Sequence, residues 1–166
     1  MAGHREKSRK ILETQYVDNI VGNCFLIKRA VIEKIGLLDE GLSPFYGEET
    51  DYCLRSQKAG FRNLYVGRAL VAHYREGSIC ELDADEVWYI KLRNSIRLEL
   101  LNYSFLKILR YNLSHLVSPL FTIKNYRLVL QKNRIKKIFL LLKAYLHNLK
   151  NIGEIFEKRH ERSYLK

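Results

Sequence analysis

The chain has 166 residues, of which 47% are hydrophobic, and this length is sufficient for one domain with a buried core. Its three cysteines are too few for a disulfide framework and too far apart for a CxxC-type zinc site, so we expect them to be reduced. The net charge of +11 is uneven: residues 1–80 contain 12 Lys and Arg against 10 Asp and Glu, whereas residues 81–166 contain 17 against 8.

The first predicted elements are an arm, a strand and a helix. Residues 1–15 are polar and charged, and we expect them to form a flexible arm or linker. Residues 16–27 have the apolar, β-branched composition of a strand, which Gly22-Asn23 interrupts. A glycine inside a strand marks either a plain kink or the close approach of another group to the backbone. Residues 28–35 predict a short amphipathic helix that ends at a glycine.

The next feature is a loop that leads into an acidic helix. Residues 37–47 are rich in Gly, Ser and Pro, and a helix is predicted to begin near Glu48. On that helix Asp51 and Arg55 are four positions apart and can pair on one face. Glu48 and Glu49 lie in its first turn, where free backbone N–H groups favour negative charge. They either cap a surface helix or remain available for chemistry.

Two further strands are predicted after the acidic helix. Residues 61–66 and 69–74 have strand composition and are separated by a turn. They bring His73 back towards the sheet. A lone histidine after an apolar strand is either a structural residue or a ligand.

A capping pattern opens a long helix predicted for residues 85–103. Asp83 and Glu86 occupy the N-cap and N3 positions, so we interpret the Asp-Ala-Asp sequence that begins at Asp83 as capping rather than as a metal-binding motif. Arg93 and Arg97 lie one turn apart on this helix. Such a pair either binds a phosphate or pairs with local acids.

Residues 104–166 predict a basic helical tail. Between Glu99 and Glu154 the sequence contains no acidic residue but ten Lys or Arg. Short apolar runs are edged by lysines, as in helices that lie on an anionic bilayer surface. The alternative is a helical cap that buries its apolar stripe on the domain. A break in the helical pattern is predicted near Ser118-Pro119.

Several of these motifs follow one another in a fixed order between residues 16 and 97. They are Gly22-Asn23-Cys24-Phe25, Ile35-Gly36, Leu38-Asp39-Glu40, Glu48-Glu49-Thr50-Asp51 with Arg55, Ala59-Gly60 and His73. In this order they resemble the family 2 glycosyltransferases, the inverting GT-A enzymes that include rhamnosyl-type transferases of cell-envelope polysaccharide and glycolipid assembly. The ordered set is more specific than any one short motif. The resemblance implies an α/β fold in which residues 16–103 form the acceptor-side half of a GT-A domain.

The resemblance also implies a reaction. A sugar would move from a nucleotide-diphosphate donor to a hydroxyl of a glycan or lipid-linked acceptor. Glu49 occupies the place of the general base that removes the acceptor's proton, although that place usually holds Asp, and Glu48 is the reserve. Asp51 and Arg55 would brace the loop and the helix.

Other residues are expected to contact the substrates. On the strength of the resemblance we place five residues there: Gly22, Asn23, Phe45, Tyr46 and Arg93. The two aromatic side chains either stack on a sugar ring or fill the core.

A divalent cation, Mg or Mn, is the cofactor that the resemblance implies, and His73 is the expected ligand. The Asp-x-Asp motif that normally supplies the other ligands belongs to a nucleotide-binding half of about one hundred residues. That half is missing from the sequence given. We therefore expect the chain to be a fragment, a truncated product, or a partner of a nucleotide-binding half supplied in trans.

Two alternatives belong to other functional classes. One is a non-catalytic basic module that binds a membrane or nucleic acid, and the other is an inactive glycosyltransferase remnant. The sequence has no RNA-binding aromatic signature, so we expect no nucleic-acid partner. We see neither a secretory signal nor an apolar run of about 18 to 20 residues, and we expect a cytoplasmic protein that is peripheral on the inner face of the membrane.

Overall fold

A computed structural model of the chain describes residues 12–73, 82–110 and 134–165. These residues are mostly helical and include one short sheet. In chain order the elements are strand β1 (Gln15–Val17), helix α1 (Arg29–Ile35), a 3-10 helix (Glu40–Leu42), helix α2 (Glu48–Lys58), strand β2 (Asn63–Tyr65), helix α3 (Ala84–Asn102), helix α4 (Arg134–Lys150), helix α5 (Ile152–Glu161) and a second 3-10 helix (Arg162–Tyr164). Residues 105–110 are also helical.

The first three helices begin and end close to their predicted bounds because local signals define them. Gly36 follows α1 with a φ of 76°, and Gly60 follows α2 with a φ of 86°, a region of backbone conformation that favours glycine. At the start of α3 the Asp83 side chain accepts a hydrogen bond from the backbone N–H of Asp85. The predicted capping role of Asp83 is therefore confirmed.

The sheet is smaller than the sequence predicts. β1 and β2 pair antiparallel, with Tyr16 opposite Leu64, and each strand has only three residues. Residues 18–28 and 69–73 are irregular although both have strand composition. Composition alone does not make a strand, because a strand also needs a partner for its backbone groups. Among the described residues that partner exists only between β1 and β2.

The helices of the predicted tail lie against the rest of the described chain. α4 packs along α3, and α5 contacts both α3 and the second 3-10 helix. The fully buried side chains include Leu42 in the first 3-10 helix, Leu101 in α3 and Ile155 in α5. These three residues join the loop before α2 to the C-terminal helices.

The predicted α/β class thus takes the form of a helix-rich structure with one two-stranded sheet, which is compatible with either an α/β or an α-rich fold. Three sequence-based expectations lie outside the described residues: the arm up to residue 11, the end of the predicted strand at Tyr74 and the break near Ser118. No helix in the described ranges is both long and apolar enough to cross a bilayer.

Candidate functional site

The candidate site lies where the loop of residues 37–47 turns into α2. Two consecutive residues in this turn, Tyr46 with a φ of 74° and Gly47 with a φ of 98°, have positive φ angles. Glycine adopts this conformation freely, but a tyrosine there is strained and is held in place by its surroundings. Gly47 is the N-cap of α2, so Glu48 and Glu49 begin the helix as predicted.

The side chain of Asn94 on α3 donates hydrogen bonds to the backbone of this turn. Its side chain is 1% exposed, and its amide nitrogen lies 2.5 Å from the Leu42 carbonyl oxygen, 2.8 Å from that of Phe45 and 3.0 Å from that of Tyr46. The neighbouring Arg93 donates from Nη2 to the Ser43 carbonyl and from Nε to the Asn94 side-chain oxygen. The Arg93-Asn94 pair therefore fixes the backbone that precedes Glu48.

Asp51 is completely buried and accepts hydrogen bonds from three side chains. Arg55 Nε lies 2.8 Å from Oδ2, Asn102 Nδ2 lies 2.8 Å from Oδ1, and Arg162 Nη1 lies 2.5 Å from Oδ1. Arg55 also donates to the carbonyl oxygens of Ile35 and Leu37, at 2.7 Å and 2.8 Å. The predicted pair of Asp51 and Arg55 is present, and it joins α2 to the end of α1 and to the C-terminal 3-10 helix.

Asp39 is a second buried carboxylate, at the start of the loop. It accepts hydrogen bonds from Arg97 Nε at 3.1 Å, from Arg97 Nη2 at 3.0 Å and from Lys158 Nζ at 2.6 Å, and Arg162 Nη2 lies 3.4 Å away. Burial by itself would raise the pKa of Asp39, but the hydrogen bonds and charges of Arg97 and Lys158 hold that pKa well below the ordinary carboxyl value. Asp39 is therefore ionised at neutral pH.

The buried charge cluster consists of Asp39, Asp51, Arg55, Arg97 and Arg162, each less than 9% exposed. It is packed tightly against the loop: a Cβ atom at Gly41 would lie 2.1 Å from the guanidinium carbon of Arg97. Charges buried at such density are stable only when they are paired. The cluster therefore ties three separate parts of the chain, namely the loop, α3 and the C-terminal helices, into one support beneath α2.

Glu48 and Glu49 differ from these carboxylates because no described residue gives them a counter-charge. Glu48 is half-buried, and its Oε2 atom is shielded from solvent without a hydrogen-bond partner in the described part of the chain. Burial raises the pKa of Glu48, and the charge of Glu49 raises it further, although a hydrogen bond with its own backbone acts in the opposite direction. Glu49 is also half-buried, and neither a hydrogen bond nor an ion pair joins its carboxylate to another described residue.

The segment after β1 runs alongside the start of α2. Asn19 Nδ2 donates to Thr50 Oγ1 at 3.2 Å, and the Asp18 carbonyl accepts from the side chain of Gln57 at 2.9 Å. A Cβ at Gly22 would lie 3.3 Å from the Glu49 Cβ and 3.4 Å from its Cδ. Gly22 thus allows the backbone to approach the Glu49 side chain closely, which agrees with one of the two interpretations of the glycine in the sequence.

The two aromatic residues of the turn are half-buried. The rings of Phe45 and Tyr46 meet edge to face at 5.1 Å between centroids, and the Lys91 amino group lies 4.4 Å from the Tyr46 ring centre. The two rings therefore contact each other, and the Tyr46 ring also faces Lys91 on α3. Asn23 is exposed one residue beyond Gly22. The expected contacts of these residues and of Arg93 with substrates stay predictions.

His73 is exposed and is the last described residue before a gap. The described ranges contain no group of three or more His, Cys, Asp or Glu that could hold a metal ion. Asp83 caps α3, and Asp85 accepts from Lys136 at 2.5 Å, so neither is placed as a ligand. His73 belongs to no such group in the described ranges, and its expected role as a metal ligand stays a prediction.

A cavity of about 250 Å³ lies on another side of this support. Asp39, Arg55, Lys158 and Arg162 line it together with apolar side chains, whereas Glu48 and Glu49 do not. Lys34 and Glu161 also line the cavity, which therefore lies apart from the two glutamates predicted to carry the chemistry.

The structure identifies supporting residues that the sequence did not single out. Asn94 and Arg162 make the contacts that fix the turn and α2, and Asp39 joins them through the cluster. The sequence offers a signal for Asp39 alone, which belongs to the Leu38-Asp39-Glu40 motif, and that motif does not reveal a supporting role. No local pattern marks Arg162, since it lies 111 positions from Asp51.

No protein-family model matches this chain, and comparisons with curated proteins and with solved structures give no match either.

Proposed function

We propose that the chain is the acceptor-side half of an inverting glycosyltransferase of the GT-A type. It would move a sugar from a nucleotide-diphosphate donor to a hydroxyl of a glycolipid or polysaccharide acceptor at the cytoplasmic face of a membrane. One observation carries the proposal: within the described part of the chain, Glu48 and Glu49 have no counter-charge, whereas the next carboxylate on the same helix, Asp51, is fully paired. Unpaired, half-buried carboxylates on a rigid support are suited to proton transfer.

The chemistry needs one carboxylate to accept a proton. As the acceptor oxygen bonds to the anomeric carbon, the bond from that carbon to the diphosphate breaks, and the hydroxyl proton passes to the base. Glu49 is our first assignment for the base, and Glu48, whose pKa is raised by burial, is the reserve. Positioned proton transfer contributes about 100- to 10,000-fold to a rate.

We assign the aromatic residues of the turn to the sugar and Gly22 to the neighbourhood of the base. Phe45 and Tyr46 offer ring faces and edges to a sugar, and the absence of a side chain at Gly22 keeps the backbone close to Glu49. Arg93 is committed to the Ser43 carbonyl and to Asn94, so we assign it to fixing the turn as well as to the substrate side.

We further propose that the nucleotide-binding half is another segment or another chain that covers the small sheet. Apolar side chains on and beside the sheet are exposed, with Tyr16 at 58%, Leu64 at 43% and Val66 at 45%. A two-stranded sheet alone is marginal in water, and a further protein layer on these side chains would stabilise it. We assign no step to the divalent cation, for which His73 is the expected ligand.

The test is genetic because the donor and the acceptor are not specified by the site. The gene is deleted in its source organism, and cell-envelope glycans and glycolipids are profiled by mass spectrometry. We expect one sugar-containing species to disappear and to return with the wild-type gene. Glu49→Gln should fail to restore it, because the amide cannot accept the proton.

Glu33→Gln is the matched control, since Glu33 is an exposed glutamate on α1 away from the turn. Protein levels of all variants are compared by immunoblot. If Glu49→Gln and Glu48→Gln each restore the missing species as fully as the control does, the base assignment is wrong. A deletion that leaves every glycan and glycolipid unchanged would instead support the inactive remnant.

A further inference from the structure

Helix α4 has two apolar faces, and only one of them is covered by the described protein. The inner face packs on α3, where Ala144 is 0% exposed and Asn148 is 2% exposed. Asn148 donates from Nδ2 to the Arg93 carbonyl at 3.0 Å, which fixes the rotation of α4 on α3. The remaining face of the helix is therefore held in a defined direction.

The outer face carries a continuous apolar stripe. It consists of Ile135, Ile138, Phe139, Leu142, Leu146 and Leu149, whose exposed fractions lie between 50% and 85%. At 100° per residue these six positions fall within an arc of about 100° along the whole helix. A contiguous exposed patch of this kind on a folded protein usually marks an interaction surface.

Basic residues flank the stripe on one side. Lys136, Lys143 and Lys150 recur every seven residues and so lie in one row beside it. Lys136 pairs with Asp85 on α3, and Lys143 lies 4.6 Å from the centre of the Tyr89 ring. The sequence from 100 to 153 contains no acidic residue, and no ion pair joins Lys143 or Lys150 to another residue in the described part of the chain.

We propose that the outer face of α4 binds the surface of an anionic lipid bilayer. The six apolar side chains would enter the boundary between headgroups and acyl chains, and the lysine row would lie at the level of the lipid phosphates. Burial of the apolar side chains would supply most of the binding free energy, and the charges of the lysine row would give a preference for anionic lipid. This surface does not depend on the proposed glycosyl transfer.

A second copy of this chain fits the surface less well. Two stripes facing each other would bring two lysine rows together without an acidic row to oppose them, which costs free energy at moderate salt. A bilayer that contains anionic lipid offers both an apolar interior and the opposite charge. Charge complementarity therefore selects the bilayer.

The experiment is co-sedimentation of the purified chain with phosphatidylcholine vesicles, with and without phosphatidylglycerol. We expect binding to the anionic vesicles, weaker binding to neutral ones and a decrease as salt is raised. Phe139→Ser with Leu146→Ser should weaken binding about tenfold or more, because two large apolar contacts with the acyl region are lost. The matched control is Leu26→Ser with Leu70→Ser, two residues that are 92% and 81% exposed elsewhere.

A second pair of variants tests the charge. Lys143→Gln with Lys150→Gln should reduce binding to anionic vesicles severalfold and flatten its salt dependence, whereas Lys28→Gln with Lys34→Gln should not. Light scattering after size exclusion reports the oligomeric state. Dimers abolished by the stripe variant, with vesicle binding equal to the control, would assign the face to a second copy and overturn the proposal.

Equal vesicle binding by the stripe variant and its control would also overturn the proposal if the chain is monomeric. Glu49→Gln should bind vesicles as the wild type does, because it leaves α4 unchanged. An experiment that disproves membrane binding by α4 therefore does not disprove the proposed sugar transfer, and the reverse also holds.

Discussion

Asp51 and Glu48 are three positions apart on the same helix, yet their carboxylates have opposite surroundings. Asp51 is fully buried and accepts from Arg55, Asn102 and Arg162, whereas Glu48 has a shielded oxygen without a partner among the described residues. Burial alone does not distinguish them. The number of hydrogen-bond donors does, because it decides whether a buried carboxylate is stabilised by its neighbours.

This difference follows from position along α2. Donors from α2, α3 and the C-terminal 3-10 helix all reach Asp51, whereas Glu48 lies about one turn nearer the start of the helix, beside Glu49. Among the described residues the donors of the buried charge cluster thus reach Asp51 but not Glu48. Four substitutions test this contrast.

Arg162→Met should have the largest effect. It removes the bonds to both Asp51 oxygens and the contact with Asp39, leaving two buried carboxylates with fewer donors. We expect the free energy of unfolding in urea to fall by about 3–5 kcal/mol. Arg162→Lys, which keeps the charge, should lose less, and the exposed Arg68→Met should lose almost nothing. Equal losses for Arg162→Met and Arg68→Met would show that the cluster does not support α2.

Asn94→Ala should come next. It leaves the carbonyls of Leu42, Phe45 and Tyr46 without their side-chain donor, and we expect a loss of about 2 kcal/mol in unfolding free energy. Amide hydrogen exchange should accelerate in residues 42–47 more than elsewhere. The control is Asn19→Ala, which removes one exposed hydrogen bond. Unchanged exchange in the turn would contradict the role given to Asn94.

Glu48→Gln should act in the opposite direction. Because burial and Glu49 raise the pKa of Glu48, the folded protein binds its proton more tightly than the unfolded chain does, so the carboxylate opposes folding once the pH rises above that pKa. We expect the neutral amide to increase the free energy of unfolding at neutral pH by about 1 kcal/mol. Thermal unfolding measures this change, and a decrease in the free energy of unfolding would mean that the Glu48 carboxylate is paired.

Glu154→Gln should have the smallest effect and a distinct pH dependence. Hydrogen bonds from Arg97 and Lys158 lower the pKa of Glu154, so its stabilising contribution is present above the ordinary value of 4.5 and is lost as the pH falls through its folded pKa. The side chain is 46% exposed, and solvent screening limits the contribution to about 0.5 kcal/mol.

The wild type should therefore exceed Glu154→Gln in stability at neutral pH, and the two should converge in acid. Urea unfolding from neutral pH to about pH 3 tests this. A difference that stays constant over the range would show that the ionised carboxylate is not what Arg97 and Lys158 stabilise.

Local patterns predicted the part of the site that depends on neighbours in sequence. The pairing of Asp51 with Arg55 follows from four-residue spacing, and the start of α2 follows from Gly47 and the acidic first turn. The sequence could not reveal that Arg162 and Asn94 complete the support, because their partners lie 111 and about 50 positions away.

The strands were predicted too long for a related reason. Residues 18–28 and 69–73 have the composition of strands, but composition reports burial and side-chain shape rather than the presence of a pairing backbone. The helical tail was predicted from periodicity, yet its contact with α3 depends on residues such as Ala144 and Asn148 that carry no charge or motif.

The contact between Gly41 and Arg97 has a consequence for comparing this chain with other sequences. A methyl group at position 41 would overlap the guanidinium, so alanine there requires the end of Arg97 to shift or a shorter residue at position 97, and either change disturbs the two-point contact with Asp39. Substitutions at these two positions should therefore be correlated. An Asp-x-Gly triplet followed by a distant arginine would then be a signature of this architecture, separate from any signature of catalysis.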